Sequence, residues 1–286
     1  MSMEREGGSL TIIDAIERAL ERGALAALIT IVQAERAVGR KLLVQEEGAT
    51  AGDLGDEMLN RAAIAQAEIF LRSRVEAQTF KVEEFAPEII AWRGARLLFE
   101  RIAPEPHVVV CGAGHVGAAL ARLARSIGYR VTVIDDRADF VSREKFPDPD
   151  IALVAAEDWE QAISETIGTG RGVFAAIVTR GHKEDEKCLR AVLKARPDYV
   201  GMIGSRRRTN IVLRRLHAEG FDEAVLREVR APIGLDIGAV TPEEVALSIL
   251  AEMIAERRGG TGAPLSSWRR AANKGWIARS RRPQMK

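Results

Sequence analysis

Residues 107–136, HVVVCGAGHVGAALARLARSIGYRVTVIDD, constrain the fold more tightly than any other stretch of the chain. An apolar run from His107 to Cys111 follows Pro104 and Pro106, as a buried strand would. Gly112-Ala113-Gly114-His115-Val116-Gly117 then spells G-x-G-x-x-G. A helical pattern comes next, with Val116, Leu120, Leu123 and Ile127 on one face, and Gly128 stops it. A second apolar run, Val131 to Ile134, ends on Asp135 and Asp136. The sequence of parts is strand, glycine turn, helix, strand, acid.

Each part has a physical task. Gly112 permits a tight turn out of the strand. Gly114 has no side chain, so a pyrophosphate can approach the backbone. Gly117 lets the helix pack close on the strand. The helix N-terminus offers free N–H groups and a positive dipole end to an anion, and His115 stands there as a candidate donor. The acids lie roughly 20 residues on, where a ribose hydroxyl is met in such units. A Rossmann-type unit is therefore expected, with Gly112, Gly114, His115, Gly117, Asp135 and Asp136 as candidate cofactor-binding residues.

The rest of the chain divides around this unit. The spacing predicts a helix over 10–22 with Ile12, Ile13, Ile16 and Leu20 as its apolar stripe. It predicts strands over 25–33, 41–45, 77–82 and 95–102, and a long helix over 53–71. This gives a smaller α+β domain over residues 1–103 and a stiff Pro104-Glu105-Pro106 connector. Beyond Asp136, strands over 151–155, 173–179 and 199–203 alternate with helices over 159–167, 185–195 and 206–219. A possible short strand lies near Val229, and Thr241-Pro242 opens a helix running to about Arg257. Such alternation predicts an α/β fold with a doubly wound parallel sheet over residues 107–258. Residues 259–286 form a basic, glycine-containing tail with Trp268 and Trp276. It reads as a disordered tail or as a docking arm for an acidic surface.

Composition excludes several classes. With 42 Lys and Arg against 41 Asp and Glu, the net charge of +1 gives no bulk attraction to nucleic acid. No run approaches the ~20 apolar residues of a membrane span. The polar N-terminus has no signal-peptide core, so the expectation is a cytoplasmic protein. Cys111 and Cys188 are the only cysteines. Far apart in sequence, they make neither a disulfide framework nor a zinc site, and both read as packed core residues. No metal site is expected.

Ligands of doubly wound sheets bind beyond the carboxyl ends of the strands. Besides the glycine turn and Asp135-Asp136-Arg137, three segments reach that edge. Thr179 to Asp185 carries His182 and Asp185, candidates for an oriented base, with helix capping as the plainer role of Asp185. Gly204-Ser205-Arg206 is a second candidate anion site, with Arg206 expected toward ligand and Arg207 or Arg208 toward solvent. Pro232 to Gly238 can bring Asp236 to the same edge. His182, Asp185, Arg206 and Asp236 are expected to converge beside the glycine turn.

Four stretches together resemble the XdhC/CoxI family of molybdoenzyme maturation factors. They are HVVVCGAGHVGAALARLARSIGYRVTVIDDRADF, AAIVTRGHKEDEKCLRAVL, YVGMIGSRRR and APIGLDIGAVTPEEVALSILAEMIAERRGG. The resemblance implies an N-terminal XdhC/CoxI-like domain and a C-terminal Rossmann domain. It implies an accessory protein that binds molybdenum cofactor and assists its sulfuration by a cysteine desulfurase. Insertion into a xanthine dehydrogenase-like or CO dehydrogenase-like client follows. Its motif positions fall on Gly112, Gly114, His115, Gly117, Asp135, Asp136, His182, Asp185, Gly204, Ser205, Arg206, Gly234, Asp236 and Gly238. The expectation is a cofactor-binding chaperone without turnover of its own, and a homo-oligomer, a dimer. An NAD(P)-dependent oxidoreductase and a nucleotide-sensing regulatory module remain as alternatives from the residues alone. The N-terminal domain departs from the family. Where members carry a glycine-rich stretch with a cysteine, this chain has Gly52 to Asn60; near the place of a second Cys-Gly-Gly it has Trp92-Arg93-Gly94.

Overall fold

The computed structural model describes residues 11–73 and 75–266. The N-terminal part holds α1 (Ile12–Glu21), β1 (Ala26–Gln33), β2 (Lys41–Gln45), β3 (Thr50–Gly52), α2 (Glu57–Arg72), β4 (Ala77–Lys81), α3 (Val82–Phe85) and β5 (Arg96–Ile102). Its strands form one sheet in the order β3-β2-β1-β5-β4, and every strand pairing in it is antiparallel. α2 closes one face through Leu59, Ala63, Ala67 and Phe70, which pack on Ile29, Ile31, Leu97 and Phe99.

Two expectations are corrected in this domain. α1 buries Ala15 and Ala19, while Ile13 stands 67% exposed. Only half of the expected stripe faces the sheet: Ile16 packs beside Ala15, and a Cβ on Gly52 in β3 would stand 2.7 Å from Ile12 Cδ1, whereas Ile13 and Leu20 turn outward. α2 begins at Glu57 rather than at residue 53, because Asp56 caps it by accepting from the N–H groups of Met58 and Leu59 at 3.0 and 3.1 Å.

The second part holds β6 (His107–Cys111), α4 (His115–Ser126), β7 (Arg130–Asp135), β8 (Ile151–Ala155), α5 (Trp159–Ile167), β9 (Val173–Ile177), α6 (His182–Ala195), β10 (Tyr199–Met202), α7 (Arg206–Ala218), α8 (Glu223–Arg227) and α9 (Pro242–Arg258). Its sheet is parallel, in the order β8-β7-β6-β9-β10. Counted from β6, this is the 3-2-1-4-5 order of a Rossmann-type sheet. The segment read as a possible strand near Val229 makes only a parallel bridge, Arg230 beside Gly201, and the turn before it is helical. β6 and β9 are wholly buried, as central parallel strands covered on both faces must be. α4 and α9 cover one face through Leu120, Ala124, Ile249 and Met253. α5 and α6 cover the other through Ile163, Leu189 and Val192. Among the described residues no helix is long and apolar enough to cross a membrane.

Candidate functional site

The chain reverses its direction across the sheet between β6 and β9, and a crevice forms there beyond the carboxyl ends of the strands. The glycine turn occupies this place. Gly112 has φ +118°, and a Cβ on it would lie 2.6 Å from the carbonyl oxygen of Val178, in the loop after β9. A side chain is excluded on both counts. Gly117 sits in the first turn of α4, where a Cβ would come within 1.9 Å of the Gly112 oxygen. Gly114 is the N-cap of α4, and nothing lies within 4 Å of where its Cβ would be. The turn is closed beneath and open above the helix N-terminus. His115 is exposed there.

Asp135 and Asp136 have separate roles. The Asp135 carboxylate is buried at the end of β7 and accepts from the Ala113 N–H at 2.7 Å. It also accepts from Arg137 Nε at 2.8 Å, Nη2 at 2.9 Å and N–H at 3.0 Å. Burial works against its charged form, but the Arg137 guanidinium and the backbone donors outweigh burial and hold the carboxyl below its usual range. It braces the glycine turn from below. Asp136 is more open, at 30% side-chain exposure, with Arg180 3.3 Å away. Of the two, Asp136 is the acid open to solvent.

Beside Gly112 the loop after β9 leads into α6. The structure starts α6 at His182, so Asp185 lies one turn inside rather than at its opening. The His182 side chain lies outside the described residues. Asp185 is fully buried and accepts from Thr179 Oγ1 and from Arg208 Nη2. Its partner on α7 differs from the expected one. Arg206 is exposed, and Arg208 turns inward with 23% of its side chain exposed. Ser205 caps α7 by accepting from the Arg208 N–H at 3.3 Å, which makes Arg208 the third helical residue. A side chain at that position reaches back toward the cap, and this signal was available in the sequence. The Arg208 Nε is buried without a hydrogen-bond partner. Gly204 precedes the cap at φ +154°.

Asp236 follows the Arg230 bridge on the same edge but is exposed, and it does not join the Asp185–Arg208 pair. A cavity of about 760 Å3 lies instead at the amino edge of the sheet, lined by Pro197, Tyr199, Phe221 and Val229, and it includes none of these residues.

Cys111 and Cys188 are buried together beneath the site. Burial first, then contact with Cys111, pushes the Cys188 thiol well above its ordinary value. In the N-terminal domain the two divergent stretches meet. Trp92 Nε1 donates to Asp56 at 3.0 Å, and the Arg36 guanidinium lies 4.9 Å from the Trp92 ring centroid. The hydrogen bond from Trp92, then that from Leu59, keeps the Asp56 carboxyl below its ordinary value.

A parallel sheet in this order, with a glycine turn at its switch point, defines a Rossmann-like fold. Residues 108–253 match the XdhC Rossmann domain, and residues 19–82 match the XdhC and CoxI family. The chain belongs to the XdhC and CoxI family. It is 29% identical over 227 residues to the uncharacterized protein YqeB of Escherichia coli K12, covering 78% of this chain and 41% of YqeB. It is 31% identical over 162 residues to a probable xanthine dehydrogenase component of Bacillus subtilis 168, covering 57% of this chain and 46% of that protein. A shorter match, 36% over 69 residues, covers 24% of this chain and 22% of PaoD, a molybdenum cofactor insertion chaperone of Escherichia coli K12. The chain thus aligns with less than half the length of these relatives.

Proposed function

We propose that this chain is an accessory protein without turnover of its own. It holds molybdenum cofactor by its phosphorylated pterin and assists its sulfuration and insertion into a xanthine dehydrogenase-like or CO dehydrogenase-like enzyme. The observation that carries the reading is the open helix N-terminus over Gly114 beside the buried Asp185–Arg208 pair. The residues present fit a phosphate-bearing group: a glycine cradle that a side chain would fill, and an arginine whose buried Nε has no partner. The backbone N–H groups of α4 would take the phosphate, with His115 at the rim. Arg208 would supply a fixed positive charge, and Asp136 would accept from hydroxyl or ring N–H groups. The cofactor supplies the molybdenum redox chemistry of the client.

Both cysteines are buried, so this chain offers no exposed thiol to carry sulfur. Sulfur would come directly from a cysteine desulfurase partner. A second reading rests on the strand order alone, which suits NAD(P) equally and leaves an oxidoreductase or a nucleotide sensor as alternatives. Titration calorimetry with NAD, NADP and molybdopterin decides. Molybdopterin should bind the wild type, and Gly114→Val and Arg208→Met should each abolish binding while keeping the native circular dichroism. Binding of NAD or NADP alone would favour the second reading.

A further inference from the structure

α9 is apolar on two sides. One side carries Ala246, Ile249, Leu250 and Met253, all buried in the core that α9 shares with α4. About a third of a turn around the helix, a second stripe faces outward: Leu247, Ala251 and Ile254, spaced i, i+4, i+7. Leu247 is 51% exposed and Ile254 37%. Val240 and Ile237, 84% and 53% exposed, lie in the loop before the helix. A single exposed leucine needs no explanation, but Leu247 and Ile254 share one helix face, and Val240 and Ile237 add apolar surface in the loop that leads into it.

The charges on the stripe identify what covers it. Glu243 stands exposed at its amino end. Arg258 stands at its carboxyl end, 46% exposed although paired with Glu76. Glu243 and Arg258 are equidistant from the point between Leu250 and Ala251, and so are Leu247 and Ile254. Such a pattern complements itself when two copies of the helix run antiparallel across a two-fold axis. Leu247 then meets the partner's Ile254, and Glu243 meets the partner's Arg258. Each contact occurs twice, so a short patch yields a doubled interface. A parallel pairing would set acid against acid and base against base. A net charge of +1 gives little repulsion against self-association.

We propose that the outward stripe of α9 is a two-fold interface, and that its partner is a second copy of this chain. This rests on surface pattern and is independent of which ligand the glycine turn takes. Sedimentation velocity on the full chain at micromolar concentrations tests it. The wild type should sediment as a dimer. Leu247→Glu should sediment as a monomer with an unchanged far-ultraviolet circular dichroism spectrum. Glu243→Arg should raise the dimer dissociation constant about tenfold by setting like charges together at both ends. Glu243→Arg combined with Arg258→Glu should bring it back near the wild-type value. A monomeric wild type, a dimer that survives Leu247→Glu, or a double variant no tighter than Glu243→Arg would each overturn the proposal. A monomeric wild type would also result if residues 267–286 of the same chain covered the stripe.

Discussion

His107 shows how a single side chain records its surroundings. It opens β6, buried, with Arg130 Nη2 2.7 Å from its Nδ1 and Thr132 Oγ1 2.9 Å from its Nε2. Arginine can only donate, so Nδ1 accepts and the ring is neutral with its proton on Nε2. Burial, and then the Arg130 charge, lower its pKa from 6.5 to about 4. The folded state therefore binds fewer protons than the unfolded chain between these values, and stability falls as the pH drops through that window. The loss should reach at most about 3 kcal/mol. The carboxyls held low, such as Asp135, lose their contribution only at lower pH, so the window belongs mainly to His107. Urea unfolding at pH 7 and pH 4.5 should show the loss in the wild type and a flatter profile in His107→Gln. Equal slopes in both would assign the effect elsewhere. Arg208 gives a different lesson at this scale. Arg206 was expected to turn inward and Arg207 or Arg208 outward, but the position of the Ser205 cap turns Arg208 to the buried Asp185 and leaves Arg206 exposed.

At the scale of elements, the central unit was legible because its glycines have steric reasons that hold in any context. Gly117→Ala is the sharpest instance. The added methyl meets a carbonyl oxygen of the turn at 1.9 Å, so α4 must lift from β6. The variant should lose about 1–3 kcal/mol of stability. A melting temperature equal to that of the wild type would contradict this packing. The expected limits of β6, β8 and α5 match the structure because proline, glycine or an acidic cap brackets each run. The three-residue edge strand β3 and the one-turn helices α3 and α8 escaped, since each is too short to show a period and is fixed by what it packs against. α1 was found, but its buried face was misread. The face that meets the sheet runs through Ile12, Ala15, Ile16 and Ala19, and the pull of the large residues Ile13 and Leu20 drew the expected stripe away from the alanines.

At the scale of the molecule, both fold classes followed from the sequence, because the strand patterns on either side of Pro104–Pro106 differ, antiparallel before it and parallel after it. The site was only partly legible. Residues from three strand ends meet where topology requires, but Asp236 remains at the rim and Asp135 serves the turn itself. Tertiary pairing made these choices. Trp268, Trp276 and the cations from Arg269 to Lys286 lie outside the described residues. The central claim is that the glycine turn carries a phosphorylated pterin for delivery. Mass spectrometry of the small molecules released from freshly purified protein, prepared without oxygen from cells that make molybdenum cofactor, tests it most directly. A molybdopterin-derived pterin is expected from the wild type, and its loss in Gly114→Val. Release of NAD or NADP without pterin, or of equal pterin from both proteins, would contradict it.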